Sequence, residues 1–286
     1  MENIIIKSDC LTVGINPMGA ELRSVKDNNG NEFIWGCDPK VWAGCAPILF
    51  PICGGLKDDK YVLGGKEYVL QKHGFARTSE FSVKEKSENA VTFSLCDTED
   101  TLKMYPFEFE LEVYFEAVGN SVKCEYRVIN KSDKTMYFGV GAHEGYACPE
   151  GIEEYDIIFP KAVDLDAYQL NGNLLQKETV EIAKNCTVFP LKEKYFEIDA
   201  LVFKNLGVHS VELKHRNSGR KITVEFPEHE YFLMWQKYGA KYICIEPWRG
   251  FPDYEDSDYD FVNKDGIISL EKGQTDVSTH TMTFEI

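Results

Sequence analysis

Apolar and polar residues alternate with a period of two along most of this chain, and that alternation constrains the fold more than any other feature. In 109–115, four apolar residues alternate with Glu110, Glu112 and Tyr114. The same pattern recurs at 11–15, 91–95, 122–128, 211–213, 222–226 and 282–286. Successive side chains of a strand point to opposite faces, so each run has one face for a core and one for water. Short polar turns join the runs, so we predict an all-β fold, a large antiparallel β-sandwich.

The domain organisation follows from length and from what interrupts the strands. A chain of 286 residues is long enough for one large all-β domain or two smaller ones. We find no Gly/Ser linker, no fixed repeat and no long amphipathic helix, so we predict a single domain over 1–286. The Pro/Gly/Cys-rich segment 46–56 is predicted to be an irregular loop over a site, and 165–194 a loosely patterned excursion.

Composition limits the kinds of partner that the protein is expected to bind. A net charge of −16 and a pI near 4.9 argue against binding to nucleic acid or to an anionic membrane surface. No apolar run approaches the ~20 residues of a membrane span, and the start of the chain lacks a signal-peptide pattern. We therefore expect a cytoplasmic protein with a small-molecule ligand, as a monomer or a homodimer.

The cysteines argue against a disulfide framework and a metal centre. There are nine of them, an odd number, without a Cys-x-x-Cys pair, and several lie inside apolar runs. We predict reduced core residues. His143 and Glu144 are adjacent rather than at ligand spacing, so no metal site is expected.

A carboxylate in an apolar strand is the first candidate for chemistry. The run from Tyr242 to Glu246 is predicted to be a buried strand that ends before Pro247, which cannot donate a ladder hydrogen bond. Alternation places Cys244 on the face of Glu246. Burial raises the pKa of a carboxyl group and makes it a better base near neutrality. The alternative is a structural ion pair with Arg249.

Two histidines occupy unusual settings. His73 precedes Gly74, which permits a bend, and Arg77 follows closely enough to serve the same pocket. His143 follows two glycines that share its strand face and predict a hollow, although glycines also mark bulges or close backbone contact. A structural histidine is the alternative for each. Four others are interpreted as surface residues: His209, His215, His229 and His280.

Aromatic residues near the Glu246 strand suit either of two roles. Trp235, Tyr231 and Trp248 are able to stack on the apolar face of a sugar ring, or they pack in the core. The chain lacks a phosphate-cradling glycine loop, a Gly-x-Ser-x-Gly elbow and a His-Glu-x-x-His motif.

Five motifs occur in the order typical of one family. They are Asn16-Pro-Met-Gly-Ala-Glu-Leu, Pro47-Ile-Leu-Phe-Pro followed by Gly-Leu-Lys-Asp, His73-Gly-Phe-Ala-Arg77, Gly141-Ala-His143 and Ile245-Glu-Pro-Trp248. Through most of its length the chain resembles the aldose 1-epimerase (galactose mutarotase-like) family, in particular its LacX-like branch. The resemblance implies a galactose mutarotase-like supersandwich that binds a free sugar without a cofactor.

The resemblance also implies roles for individual residues. Glu246 would be the general base on the anomeric hydroxyl, and His143 the general acid on the ring oxygen, with His73 assisting by a hydrogen bond. Asp199 matches an acidic substrate-binding position. Ring opening, rotation of the aldehyde carbon and re-closure would give the other anomer. One carboxylate and one imidazole suffice for these two proton transfers.

Two departures from the family pattern bear on the site. Relatives commonly have Gly-Arg-Leu where this chain has Gly54-Gly55-Leu56, so a sugar-binding arginine is missing and a wider pocket is expected. Relatives commonly have proline at Glu144, whose side chain should point away from His143. The alternatives are a carbohydrate-binding protein without catalysis, and a glycoside hydrolase. A hydrolase usually needs two carboxylates ~5–9 Å apart, but only one lies in a motif.

Overall fold

The computed structural model describes residues 2–286, most of them in β-strands. The strands are β1 (Ile4–Lys7), β2 (Leu11–Asn16), β3 (Glu21–Asp27), β4 (Lys60–Leu63), β5 (Lys66–Val69), β6 (Ser82–Lys86), β7 (Ala90–Cys96), β8 (Phe109–Val118), β9 (Ser121–Asn130), β10 (Met136–Phe138), β11 (Val140–Gly141), β12 (Glu144–Ala147), β13 (Tyr155–Asn171), β14 (Leu174–Pro190), β15 (Leu201–Lys204), β16 (Ser210–His215), β17 (Lys221–Glu225), β18 (Tyr231–Trp235), β19 (Tyr242–Arg249), β20 (Ile268–Leu270) and β21 (Thr275–Glu285). The helices are α1 (Glu99–Met104) and four 3₁₀ turns at Lys57–Asp59, Ala76–Thr78, Ile152–Glu154 and Glu193–Phe196. Within 2–286, no helix has the length and apolar character needed to cross a membrane.

One sheet of 14 strands dominates the molecule. Twelve strands follow one another in the order β11-β19-β18-β15-β13-β16-β17-β21-β9-β8-β7-β6, while β12 pairs with β19 and β14 with β13. Smaller sheets are β1-β2-β3, β4-β5 and β10-β20, and all paired strands in these four sheets are antiparallel. The predicted all-β, antiparallel architecture is confirmed.

A continuous hydrophobic core joins distant parts of the chain. Val13 of β2, Phe93 of β7, Leu213 of β16 and Ile243 of β19 belong to one buried cluster. The strands predicted at 91–95, 109–115 and 122–128 are β7, β8 and β9, and their apolar positions face this core. The period-two pattern identified them because one face of each is buried.

The segment predicted to be a loose excursion is instead a long hairpin. Strands β13 and β14 have 17 residues each and pair antiparallel around Gly172, whose φ is +61°. Their register shifts at four places. Most of β14 is solvent-exposed, so it shows no clean period-two pattern, and β13 alternates only in two stretches, at 155–159 and 163–167. The turn of this hairpin brings Asn173 to the cavity described below.

Strand β19 does not end at Glu246, as the proline had suggested, but continues to Arg249. Pro247 still accepts a hydrogen bond at its carbonyl oxygen from the Ala142 amide at 3.1 Å. Pro247 has no backbone N–H, so it cannot donate a hydrogen bond to the Ala142 carbonyl oxygen in return. The indole Nε1 of Trp248 donates to that oxygen instead, at 3.0 Å. A neighbouring side chain therefore replaces the missing ladder bond, and the strand goes on.

The prediction of reduced core cysteines is wrong for the Cys37–Cys45 pair and for Cys10 and Cys96, which are exposed. The prediction of surface histidines is wrong for three of the four residues. Cys37 and Cys45 form a disulfide, while the other seven cysteines are free. His215, His229 and His280 are buried rather than on the surface. His280 shares the buried face of β21 with Met282 and Phe284, so strict alternation would have identified it.

Candidate active site

Neighbouring strands of the large sheet form the floor of the site. The register pairs Val202 of β15 with Leu233 of β18, and Leu233 with Glu246 of β19. On the other side of β19, the pairs Gly141–Trp248 and Glu144–Ile245 place His143 across from Glu246. These four side chains therefore lie in a row across four adjacent strand segments.

The predicted faces of β19 are confirmed. Ile243 and Ile245 point into the main core. Tyr242 and Cys244 belong to a separate small cluster, and Glu246 lines the cavity. The histidine and the carboxylate are together because they share a sheet face and a register position.

Glu246 and His143 form a buried pair. His143 Nε2 lies 3.4 Å from Glu246 Oε2, and the residues are 9% and 1% exposed. His143 Nδ1 and Glu246 Oε1 have no hydrogen-bond partner among the described residues. Burial raises the pKa of Glu246 well above its usual value, although Lys72 opposes the shift, and burial lowers the pKa of His143 to about 3. The pair therefore holds one proton over a wide pH range.

His73 is fixed as a neutral hydrogen-bond donor. Its Nδ1 accepts from the Gly54 amide at 3.1 Å, so the proton of the neutral ring is on Nε2. Burial lowers the pKa of His73 well below its usual value, which keeps the ring neutral. Gly74 is required beside it because a Cβ there would lie 2.2 Å from the Phe50 carbonyl oxygen. The ring centroid is 5.7 Å from that of His143.

The hollow predicted over the glycines is filled. A Cβ at Gly141 would lie 2.7 Å from Trp248 Cδ1 and 3.1 Å from Cys53 Sγ. Gly139 is packed closely against Arg249 and Gly250. The glycines thus admit the indole of Trp248, which leaves it only 3% exposed. Of the two roles considered for this tryptophan, core packing is the one its burial favours.

Trp42 lies at the centre of the site although it was not among the predicted site residues. Its ring stacks on the His143 imidazole, with centroids 5.3 Å apart and planes at 29°. Trp235 meets both rings edge-on, at 5.3 Å from Trp42 and 5.7 Å from His143. Trp42 lies between Cys37 and Cys45, in a segment without a periodic pattern or family motif. The sequence therefore carried no signal for this contact.

All the predicted site residues line one cavity of about 430 Å³. They are Glu246, His143, His73, Arg77, Asp199, Trp235 and Trp248. Trp42, Lys72 and Asn173 also line it and were not predicted. Its volume is in the range of small-molecule sites.

The structural ion pair considered for Glu246 does not exist. Arg249 instead makes a bidentate contact with Asp276, with Nη2 3.1 Å from Oδ1. Glu144 points away from His143, as expected, and its Oε1 lies 3.0 Å from His280 Nε2 in the core. Within 2–286, no lysine or arginine lies at salt-bridge distance from Glu246, and its one basic neighbour at that distance is the ring of His143.

The prediction of a wider pocket at Gly55 is also wrong. A Cβ at this glycine would lie 2.7 Å from Asn173 Cβ and 3.0 Å from the Asn173 carbonyl oxygen. Leu175 donates its amide to Asp253, and Asp253 donates to Gly55, which ties the β13–β14 hairpin to this loop. The hairpin turn fills the space that an arginine side chain would need.

Comparison with known proteins identifies the family and agrees with the fold. The family model for aldose 1-epimerase matches residues 2–282. The chain is 33% identical over 261 residues to the plasmid-encoded protein LacX of Lactococcus lactis, which covers 86% of this chain and 87% of LacX. A galactose mutarotase related enzyme from Lactobacillus acidophilus has a similar structure, with a TM-score of 0.94, 34% identity and coverage of 99% and 97% of the two chains. A galactose mutarotase-like protein from Lactobacillus casei superposes with a TM-score of 0.93 at 28% identity and covers 99% of each chain. The chain belongs to the aldose 1-epimerase family.

Proposed function

We propose that this protein interconverts the α and β anomers of a sugar by acid–base ring opening and re-closure. The observation that carries the proposal is the buried Glu246–His143 pair, with its 3.4 Å separation, on the floor of a small-molecule cavity. The anomeric hydroxyl and the ring oxygen of a cyclic sugar are bonded to the same carbon. A proton acceptor and a proton donor a few ångströms apart therefore reach both oxygens.

In the forward step, the Glu246 carboxylate accepts the proton of the anomeric hydroxyl while the bond between the anomeric carbon and the ring oxygen breaks. Protonated His143 delivers a proton to the ring oxygen, and an open-chain aldehyde results. After the aldehyde carbon rotates, neutral His143 accepts the proton back and Glu246 donates one to the carbonyl oxygen. The pair ends with the proton arrangement it had at the start.

The pKa directions favour a neutral Glu246–His143 pair, with the proton on Glu246, because burial disfavours both charged forms. In the proposed mechanism, the pair has this neutral form when the sugar ring is open. Direct transfer across the 3.4 Å contact gives the ion-pair form that begins the cycle. Lys72 lowers the pKa of Glu246 and so favours that form.

Other lining groups suit substrate binding. His73 presents Nε2–H as a neutral donor near His143. Arg77 and Asp199 supply a charged donor and acceptors for hydroxyl groups, and Trp235 supplies an aromatic edge. We assign Arg77, Asp199 and Trp235 to substrate binding. We assign Trp248 chiefly to the packing that positions the floor of the cavity.

Anomer equilibration tests the proposal. Freshly dissolved α-anomers of a panel of free and phosphorylated aldoses are followed by polarimetry or proton NMR. We expect equilibration to accelerate in proportion to protein concentration for at least one sugar. Binding without acceleration would instead favour a carbohydrate-binding protein, and release of sugar from a glycoside would favour a hydrolase. Either outcome would overturn the proposed activity.

A further inference from the structure

Cys244 brings a third donor atom to the Glu246–His143 pair. One ligand atom from each of His143, Cys244 and Glu246 lies within 4.8 Å of the other two, and all three residues are buried. Cys244 and Glu246 are two residues apart on the same face of β19, and His143 lies across from Glu246. The prediction of no metal site considered only donors close together along the chain, whereas sheet register assembles these three.

One of the three separations already has the length that a tetrahedral ion needs. Zn²⁺ binds nitrogen, oxygen and thiolate sulfur at about 2.0–2.3 Å, so ligand atoms around it lie roughly 3.3–3.6 Å apart. His143 Nε2 and Glu246 Oε2 are already 3.4 Å apart. Glu246 Oε1 and His143 Nδ1, both buried, lack a hydrogen-bond partner within 2–286. The carboxylate therefore has a free oxygen for a ligand.

Charge balance favours a thiophilic divalent cation. A thiolate and a carboxylate offset the two charges of the ion, and the imidazole binds as a neutral ligand. A neutral complex is the one a buried site tolerates best. Cys244 is fully buried, in a small cluster against which Trp42 and Trp235 pack, and both of these rings line the cavity.

We propose that His143, Cys244 and Glu246 form a binding site for a thiophilic divalent cation of the Zn²⁺ class, and that an ion bound there competes with the sugar. Binding releases two protons, one from the Cys244 thiol and one from the Glu246–His143 pair. His143 and Glu246 both line the cavity, so an ion that they hold excludes the sugar from these two groups. The competition rests on the proposed function, whereas the binding itself does not.

Cobalt titration tests the binding without using activity. Exposed Cys10 and Cys96 are first replaced by serine, which gives the background protein for all further variants. Oxidising conditions preserve the Cys37–Cys45 disulfide. We expect Co²⁺ to give a near-ultraviolet thiolate charge-transfer band and the visible bands of a tetrahedral ion, saturating at about one ion per chain. Cys244→Ser should abolish the thiolate band and weaken binding at least 10-fold.

Cys53→Ser is the matched control. This thiol is also buried and free, and it packs beside Gly141, but it is not part of the triad. We expect its cobalt spectrum to match that of the background protein. A thiolate band that survives Cys244→Ser, or no tetrahedral spectrum in the background protein, would overturn the site.

Zinc inhibition tests the competition. In each variant the rate of anomer equilibration is compared with and without Zn²⁺, and then after EDTA. We expect Zn²⁺ to raise KM for the sugar in the Cys53→Ser protein, EDTA to reverse this, and Cys244→Ser to need at least 10-fold more Zn²⁺. A tetrahedral cobalt spectrum without zinc inhibition would overturn the competition alone. A protein inactive on every sugar would overturn the proposed function and leave the spectroscopic result standing.

Discussion

At the scale of single residues, Glu246 is the group whose environment a structural role does not explain. The side chain is 1% exposed, one of its oxygens has no hydrogen-bond partner in the described chain, and no lysine or arginine pairs with it. Burying a carboxyl group in this way costs stability. Residues that break local rules of stability concentrate at functional sites, and the neighbouring imidazole and cavity fit that interpretation.

Replacing Glu246 with glutamine separates activity from stability. We expect Glu246→Gln to lower the rate of anomer equilibration by about 10²-fold or more, because the amide cannot accept the proton. The raised pKa means that the wild-type carboxyl stabilises the fold least at high pH, since its cost grows as pH rises from about 4.5 towards the folded pKa. The variant should therefore gain more thermal stability at pH 8 than at pH 5.

Glu144→Gln is the matched control for that experiment. Glu144 is also a buried carboxyl on a strand paired with β19, but it faces the core and contacts His280. We expect it to lose stability while kcat changes far less than in Glu246→Gln. A folded Glu246→Gln protein with near wild-type kcat would exclude Glu246 as the base.

At the scale of elements, the Trp248 indole repairs the ladder that Pro247 interrupts. Trp248→Phe should lower the free energy of unfolding by about 1–3 kcal/mol, because the buried Ala142 carbonyl loses its donor. Adding Pro247→Ala supplies a backbone N–H at the position facing that carbonyl. The double variant should therefore lose less stability than the sum of the two single changes, as measured by denaturant unfolding. Strictly additive losses would show that the indole bond is unimportant.

The contact between Gly55 and the hairpin turn makes a second prediction at this scale. Gly55→Arg should displace Asn173, because the new Cβ meets the Asn173 Cβ and backbone oxygen rather than a flexible side-chain end. We expect lower thermal stability and a higher KM. Steady-state kinetics with thermal melts measure both effects. A lower KM with unchanged kcat would instead show that the hairpin moves aside and the arginine binds sugar.

At the scale of the whole molecule, buried histidines make the fold sensitive to acid. Burial lowers the pKa of His229 well below its usual value, and neither ring nitrogen has a partner among residues 2–286. Its contribution to stability is full above about pH 6.5 and is lost as pH falls towards the folded pKa, because the unfolded chain binds the proton first. At pH 5 the loss is at most about 2 kcal/mol for one such histidine, a limit set by the unfolded pKa alone.

His229→Phe tests that account. The free energy of unfolding should fall less between pH 7.5 and pH 5 in the variant than in the wild type, by up to about 2 kcal/mol. Any constant change in packing cancels because the measurement is a difference between two pH values. His209→Phe, at an exposed position, is the control and should change the difference far less, because His209 is only a minor cause of the lowered pKa of His229. Equal acid sensitivity in all three proteins would exclude His229 as its source.

Much of this molecule was predictable from local pattern. Alternation identified β7, β8 and β9 and the two faces of β19 because side-chain direction along a strand is a property of the backbone alone. The same rule, applied to β21 without exception, would have predicted that His280 is buried. Family motifs indicated Glu246, His143 and His73, and a shared sheet face and cavity brought them together.

Only the tertiary structure determined which side chains meet across strands and loops. Trp42 stacks on His143, the Trp248 indole satisfies Ala142, and Asn173 occupies the space beside Gly55. Each contact joins residues about 100 positions apart in the chain, and its partners follow from strand order, register and hairpin length. Local periodicity contains none of these quantities, because they are set by how the whole sheet closes on its core.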